Sequence, residues 1–331
     1  SFSLSCSLYF FNALKSFEYK VYDLLSRNFN PDKKSDSVCL IYIDQRSIEE
    51  LSTQGITWPW PRQIYAPVVE YLSIADAVFI DLIFTENSSY GVEDDQIFAK
   101  SVKKAGNVYL PVVLSKEKRW IDEEFLKRIS VRGYASFKNQ YQSVITPIEE
   151  LKLSAKGFGN VSIQPDEDGI YRRISLFFKI KDYFIPNFVM TYFLDKNLVQ
   201  KRGDSIFIEK FLITNTQGSV WLRYSSNSKP FRIFSFVEIL SAAISKEGRQ
   251  SVDRNFFRGK KVFIGASAAG LFDMKPTPVS SKTSGVFIHA TLFENLISGD
   301  FITTTPKALI PFVMFLVSTV IASVFIKHHS M

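Results

Sequence analysis

Five side chains stand where α/β proteins often do chemistry. Asp44 and Asp81 each close an apolar run, at 38–43 and 77–80. If both runs are parallel strands, each carboxylate lies at a carboxyl end, outside which open α/β sheets bind their ligands. Gly265 ends a third run, 261–265, and the segment down to Asp273 leaves at the same edge. Arg62 and His289 could reach that crevice. Asp44, Arg62, Asp81, Asp273 and His289 therefore form a candidate ligand-binding set for a small molecule or an ion. The plainer reading is that an Asp after a strand caps the next helix, and that Arg62 simply pairs with one of the acids. Two carboxylates do not make a hydrolase, and no nucleophile–base–orienter set is present. No catalytic residue is assigned.

The remaining motifs are weaker. Residues 265–270, Gly-Ala-Ser-Ala-Ala-Gly, follow a strand. A dinucleotide fingerprint needs Gly where Ser267 stands, and a nucleophile elbow needs Gly where Ala269 stands. Close backbone approach is the expected role of these small residues. Gln164-Pro165-Asp166-Glu167-Asp168-Gly169 resembles part of a calcium loop, but Gln164 and Ser175 occupy the required acidic positions. A hairpin turn is expected there. Trp58 and Trp60 are either packed or a ligand platform, and packing is favoured. With three His, two Cys and no CxxC or HExxH, no metal site and no cofactor are expected.

These residues need a scaffold. Apolar runs at 38–43, 77–80, 108–114 and 261–265 read as buried strands. They alternate with helical patterns at 46–53, 63–74, 95–105 and 289–296. This predicts an α/β fold with a mixed, largely parallel sheet flanked by helices. The middle differs: strand-like stretches at 158–163, 171–180, 206–208 and 220–224 indicate an inserted β-hairpin region, with helices at 188–194 and 236–245. A helix over 15–29, with Phe17, Val21, Leu24 and Leu25 near helical spacing, leads into the domain.

Composition limits the partners. The chain has 331 residues, 46% hydrophobic and 22% charged, with a net charge of +7, so it is not disordered. Its Lys and Arg are scattered, without a basic stripe interleaved with aromatics, and no nucleic-acid partner is expected. Cys6 and Cys39 provide no disulfide framework.

Residues 308–326, ALIPFVMFLVSTVIASVFI, carry no charge. As a helix they would span roughly 28 Å, close to a bilayer core, and a transmembrane helix is expected. Residues 1–14 read as the tail of a membrane segment or as a signal peptide. Lys327 and the two His after it favour a cytoplasmic C-terminus. Residues 15–302 would then be extracytoplasmic, on a cell (inner) membrane.

Four separated stretches together resemble a known family. They are IYIDQRSIEEL with WPWPR (41–51 and 58–62), FIDLIF (79–84), PDEDGIYRR (165–173) and the long stretch KKVFIGASAAGLFDMKPTPVSSKTSGVFIHATLFENLISGDFI (260–302). In this order they are similar to the CHASE domain of the second type, an extracellular sensory domain of cyclases, histidine kinases and Ser/Thr kinases. The resemblance implies a membrane receptor, an unknown small-molecule or environmental signal, a homodimer and a cytoplasmic output module. The sequence departs from the usual layout by ending after one C-terminal hydrophobic segment. Two other function classes compete: an extracytoplasmic hydrolase using Asp44 and Asp81, and a membrane-anchored interaction module without a ligand.

Overall fold

The computed structural model describes residues 15–132, 140–203, 205–214, 218–226, 229–245, 252–271, 274–302, 312, 315–320 and 322–323. The expected N-terminal membrane segment, 1–14, lies outside them. So does most of 308–326, whose described residues are helical. Among the described residues no helix is long and apolar enough to cross a membrane.

In chain order the elements that build the site are α1 (Lys15–Phe29), β1 (Val38–Ile43), α2 (Gln45–Thr53), α3 (Tyr65–Tyr71), β2 (Ala77–Asp81), α4 (Val92–Ala105) and β3 (Val108–Ser115). They continue with β4 (Gly157–Asn160), β5 (Arg173–Ser175), α5 (Met190–Asp195), β6 (Ser219–Trp221), β7 (Arg232–Ser235) and α6 (Phe236–Ile244). The last are β8 (Lys261–Ala266), β9 (Met274–Lys275), β10 (Thr283–Ser284) and α7 (Gly285–Ser298).

The main sheet runs β7–β1–β8–β2–β3–β4, all parallel, with the short strand Ser143–Ile145 antiparallel to the end of β3. The fold is thus mixed α/β with a largely parallel sheet flanked by helices. The near-continuous apolar runs follow from this, because a parallel sheet is covered on both faces. One face carries Ile41, Ile80, Leu110 and Ile264 against α3, α4 and α6. The other carries Leu40, Phe79, Tyr109 and Phe263 against α5 and α7.

Central strand β8 comes from the C-terminal third, between β1 and β2. Its Gly265 does permit close approach, since a Cβ there would stand 2.7 Å from Val286 Cβ on α7. Gly159 on β4 is as tight, 2.7 Å from the backbone of Asn187 and Phe188.

The middle is a set of small β units, not one hairpin. Phe177–Ile180 pairs antiparallel with Tyr183–Pro186, and Val199–Arg202, Ser205–Ile208 and Phe211–Thr214 form a meander. The hairpin expected around Asp168-Gly169 is corrected. The strand before it, β4, joins the main sheet, whereas β5 after it pairs with β6. The 166–170 turn does form, closed by Gly169 N–H on Asp166 O at 2.9 Å, with Gly169 at φ +84°. Asp166 N–H also bonds Ile170 O at 2.9 Å across the turn, beyond which the flanking chain diverges while the Asp166 and Asp168 side chains bond Arg172.

Candidate functional site

The five candidate residues do not converge. Asp44 caps α2. Its Oδ1 accepts Ser47 N–H at 2.9 Å, Ser47 Oγ at 2.6 Å and Ser235 Oγ at 2.8 Å. Ser235 in turn caps α6 in a capping box with Glu238. Asp44 therefore ties two helix starts together, and capping accounts for it.

Arg62 is buried on the α4 side of the sheet. Its backbone N–H donates to Asp94 Oδ2 at 2.7 Å, and its guanidinium to Asp95 and to Glu86 O. Both acids lie in the first turn of α4, where the helix dipole favours negative charge. Arg62 thus pins the Trp-Pro loop and the 86–91 loop to α4. Trp60 is packed, with its ring 5.1 Å from Phe236 and from Trp58.

Asp81 and His289 share the opposite face. Strand alternation puts Asp81 on the side of Phe79, level with Gly265 in the register. Val286, which fills the space above Gly265, is one turn before His289 on α7. The His289 ring is buried, 5.8 Å from Phe188, with Nε2 3.1 Å from Val161 O. A carbonyl only accepts, so Nε2 carries the proton. Nδ1 is then an acceptor, and no described group bonds it. Burial, with the nearby Lys275 charge, lowers the His289 pKa to about 4 despite the Val161 bond. The ribbon β9–β10 carries Lys275 over this end of the sheet, and Ser284 donates to Tyr42 Oη at 3.2 Å. Asp273 lies outside the described residues. Asp81 and His289 thus share one face of the sheet, with Lys275 near the buried His289 ring.

A second cluster escaped the sequence reading. Arg172, 1% exposed, fills all five guanidinium N–H positions with carboxylates. It bonds Asp23 at 2.8 and 2.7 Å, Asp168 at 2.8 and 2.7 Å, and Asp166 at 3.2 Å. The Tyr19 ring lies 4.4 Å from its carbon, within cation–π range. Burial works against the charge, but the Asp168, Asp23 and Asp166 bonds prevail and raise its pKa. Arg172 correspondingly holds Asp168 below its usual range. Arg173 bonds the other Asp166 oxygen at 2.6 Å and Tyr19 Oη at 3.1 Å. The PDEDGIYRR stretch is therefore the clasp that holds α1. The only sequence signal for it was acids and arginines packed into one turn, and nothing in that spacing identifies Asp23 as their partner.

The clasp adjoins the end of the domain. Tyr19 and Tyr22 of α1 lie 6.4 and 5.1 Å from Trp221 on β6. Trp221 forms an antiparallel bridge with Ile302. The helix that leads into the domain thus packs its tyrosines on the same residue whose backbone bridges the outgoing chain.

Among the described residues no group of three or more His, Cys, Asp or Glu is placed to hold a metal ion. A sequence model described as the CHASE2 domain matches residues 2–326. No curated protein and no solved structure matches the chain.

Proposed function

The chain belongs to the CHASE2 family, the extracellular sensory domains of receptors, and on that premise we propose that residues 15–302 form the signal-input domain of a transmembrane receptor. The domain faces outward from a cell membrane and regulates a cytoplasmic cyclase or kinase module. It acts without catalysis of its own: a signal biases two arrangements of the domain, and the flanking membrane segments carry that bias inward. The observation that carries this reading is the shared junction of α1, the Arg172 clasp, Trp221 and Ile302, which couples both ends of the domain mechanically.

The ligand site in this reading is the crevice of Asp81, His289 and Lys275, and an unpaired Nδ1 acceptor favours a ligand that donates a hydrogen bond there. Asp81→Lys is expected to abolish the output response of the full-length receptor while leaving the thermal transition in place. A normal response from a folded Asp81→Lys receptor removes this crevice from the mechanism.

The working unit is a homodimer that meets along α1. Phe17, Val21, Leu24 and Leu25 are exposed on the side away from the clasp, at spacings of three and four that suit a helix pair. In intact cells, Leu24→Cys is expected to form an intermolecular disulfide and to react with a membrane-impermeant maleimide. Reaction only after lysis would place the domain on the other side of the membrane and overturn the reading. Labelling without cross-linking would overturn the dimer alone.

A further inference from the structure

Both membrane-linked ends of the domain point to the same pole. α1 begins at Lys15, whose amino group meets Glu167 at 2.6 Å, in the loop beyond the carboxyl end of β4. It ends beside the amino ends of the strands, where Ser226 N–H reaches Pro31 O and Ser35 N–H reaches Pro230 O. The helix therefore runs against the strand direction. The outgoing chain runs the other way, with the strands: Asp300 is held by Lys33 and by Arg223 Nε at 3.0 Å near the amino ends, and Ile302 bridges Trp221 antiparallel to β6, whose own chain continues to Ser226 at the amino ends. The pole that these two segments approach is the carboxyl end of the sheet.

The loop 116–120 hangs from that same pole, at the end of β3. Trp120 is 82% exposed, the most exposed large apolar side chain among the described residues. Lys116, Lys118 and Arg119 flank it, all exposed. The loop's one acid, Glu117, pairs with Arg119 at 2.7 Å. Its backbone is fixed, because Ser143 Oγ donates to Glu117 O at 2.6 Å and Glu117 N–H to Ser115 Oγ at 3.1 Å. The adjoining Tyr141 accepts Gln164 Nε2 at 2.9 Å, three residues before Glu167, which links the loop's neighbour to the segment that meets the helix start. Of the acids that follow, Asp122 and Glu123 pair with Lys152 and Lys181, and Glu124 is exposed.

One exposed apolar side chain needs no explanation by itself. An indole held out by an anchored loop, among three cations, at the pole where the membrane segments connect, has a specific physical fit. Indole rings favour the headgroup level of a bilayer, and Lys and Arg gain from anionic lipid there. We propose that loop 116–120 is a bilayer-surface contact, with Trp120 in the headgroup layer of an anionic leaflet and Lys116, Lys118 and Arg119 on lipid phosphates. This rests on the receptor reading, and it adds a third point that fixes the tilt of the domain on the membrane.

The test uses the full chain reconstituted in vesicles of phosphatidylcholine with one-third phosphatidylglycerol, the phosphatidylcholine brominated near the headgroup. Subtracting the spectrum of Trp120→Phe isolates the Trp120 emission from that of Trp58, Trp60 and Trp221. That emission is expected to be blue-shifted and quenched about twofold, as for a ring roughly 5–10 Å deep in the interface. The triple variant Lys116→Gln, Lys118→Gln, Arg119→Gln, or added salt, is expected to relieve the quenching. Trp120 emission that stays at the water-exposed maximum, in chains that float with the vesicles, overturns the proposal and leaves the receptor reading intact. Chains that do not float with the vesicles overturn both.

Discussion

Arg172→Ala is expected to lower stability by about 3–5 kcal/mol, because it leaves buried acids without their counter-charge. Asp166 is the reason for the size. Its side chain is 2% exposed, and only Arg173, itself one-third exposed, would remain beside it. Asp168 and Asp23 are more exposed and can regain water. The measurement is thermal unfolding, where a loss of this size lowers the midpoint by roughly 5–15 °C. A second readout separates global from local effects. α1 buries little apolar surface, with Tyr19 its one buried apolar side chain. Its ties outside the clasp are the Trp221 ring contacts and single bonds, among them Lys15 to Glu167 at 2.6 Å, Tyr22 Oη to Leu222 O at 2.8 Å and Arg27 Nε to Pro278 O at 2.7 Å. Few buried contacts mean low local stability. Asp23→Ala is therefore expected to speed amide exchange across 15–29 as much as Arg172→Ala does, with a much smaller fall in the midpoint, since Arg172 keeps two acids. Equal midpoints for the two variants would show that Asp166 tolerates the loss, and unchanged exchange in α1 would show that the clasp does not hold the helix.

His289→Gln is expected to remove a component of acid sensitivity worth about 2 kcal/mol between pH 6.5 and 5. The folded pKa is lowered to about 4, below the unfolded value of ~6.5. The unfolded chain thus binds a proton first as pH falls. Stability from this group is complete above about pH 6.5 and is lost progressively down to about pH 4, reaching roughly 3 kcal/mol. Gln does not titrate, and its amide N–H₂ can still donate to Val161 O. Urea unfolding at pH 7, 6 and 5 measures the slope, in a range above most carboxylate titration. A wild-type slope equal to that of His289→Gln over this range would mean that the ring is protonated or solvated in the folded protein. In that case Nδ1 would not be a free acceptor in the crevice.

What the sequence determined follows from local rules. The strand at Val38–Ile43 and the helix at Lys15–Phe29 fall where the apolar run and the helical spacing placed them, because burial on two faces and burial on one leave different periodicities. Asp44 was legible as a cap, since capping acts within a few residues, whereas Arg62 pairs not with a candidate acid but with Asp95, 33 residues on. The four-segment pattern sufficed for the family, because a motif series needs order and not geometry.

The tertiary structure decided what depends on distance along the chain. No local signal says that β8 lies between β1 and β2, so none could say that Arg62 and His289 fall on opposite faces of the sheet. The turn at 166–170 read as a hairpin because Asp-Gly fixes a bend but not what its arms pair with. Arg172 takes Asp23 as a partner 149 residues away, and such a pairing exists only once burial has removed water as the competing partner. Long-range charge pairing leaves no periodicity to read, and for that reason the clasp appeared only in the folded chain.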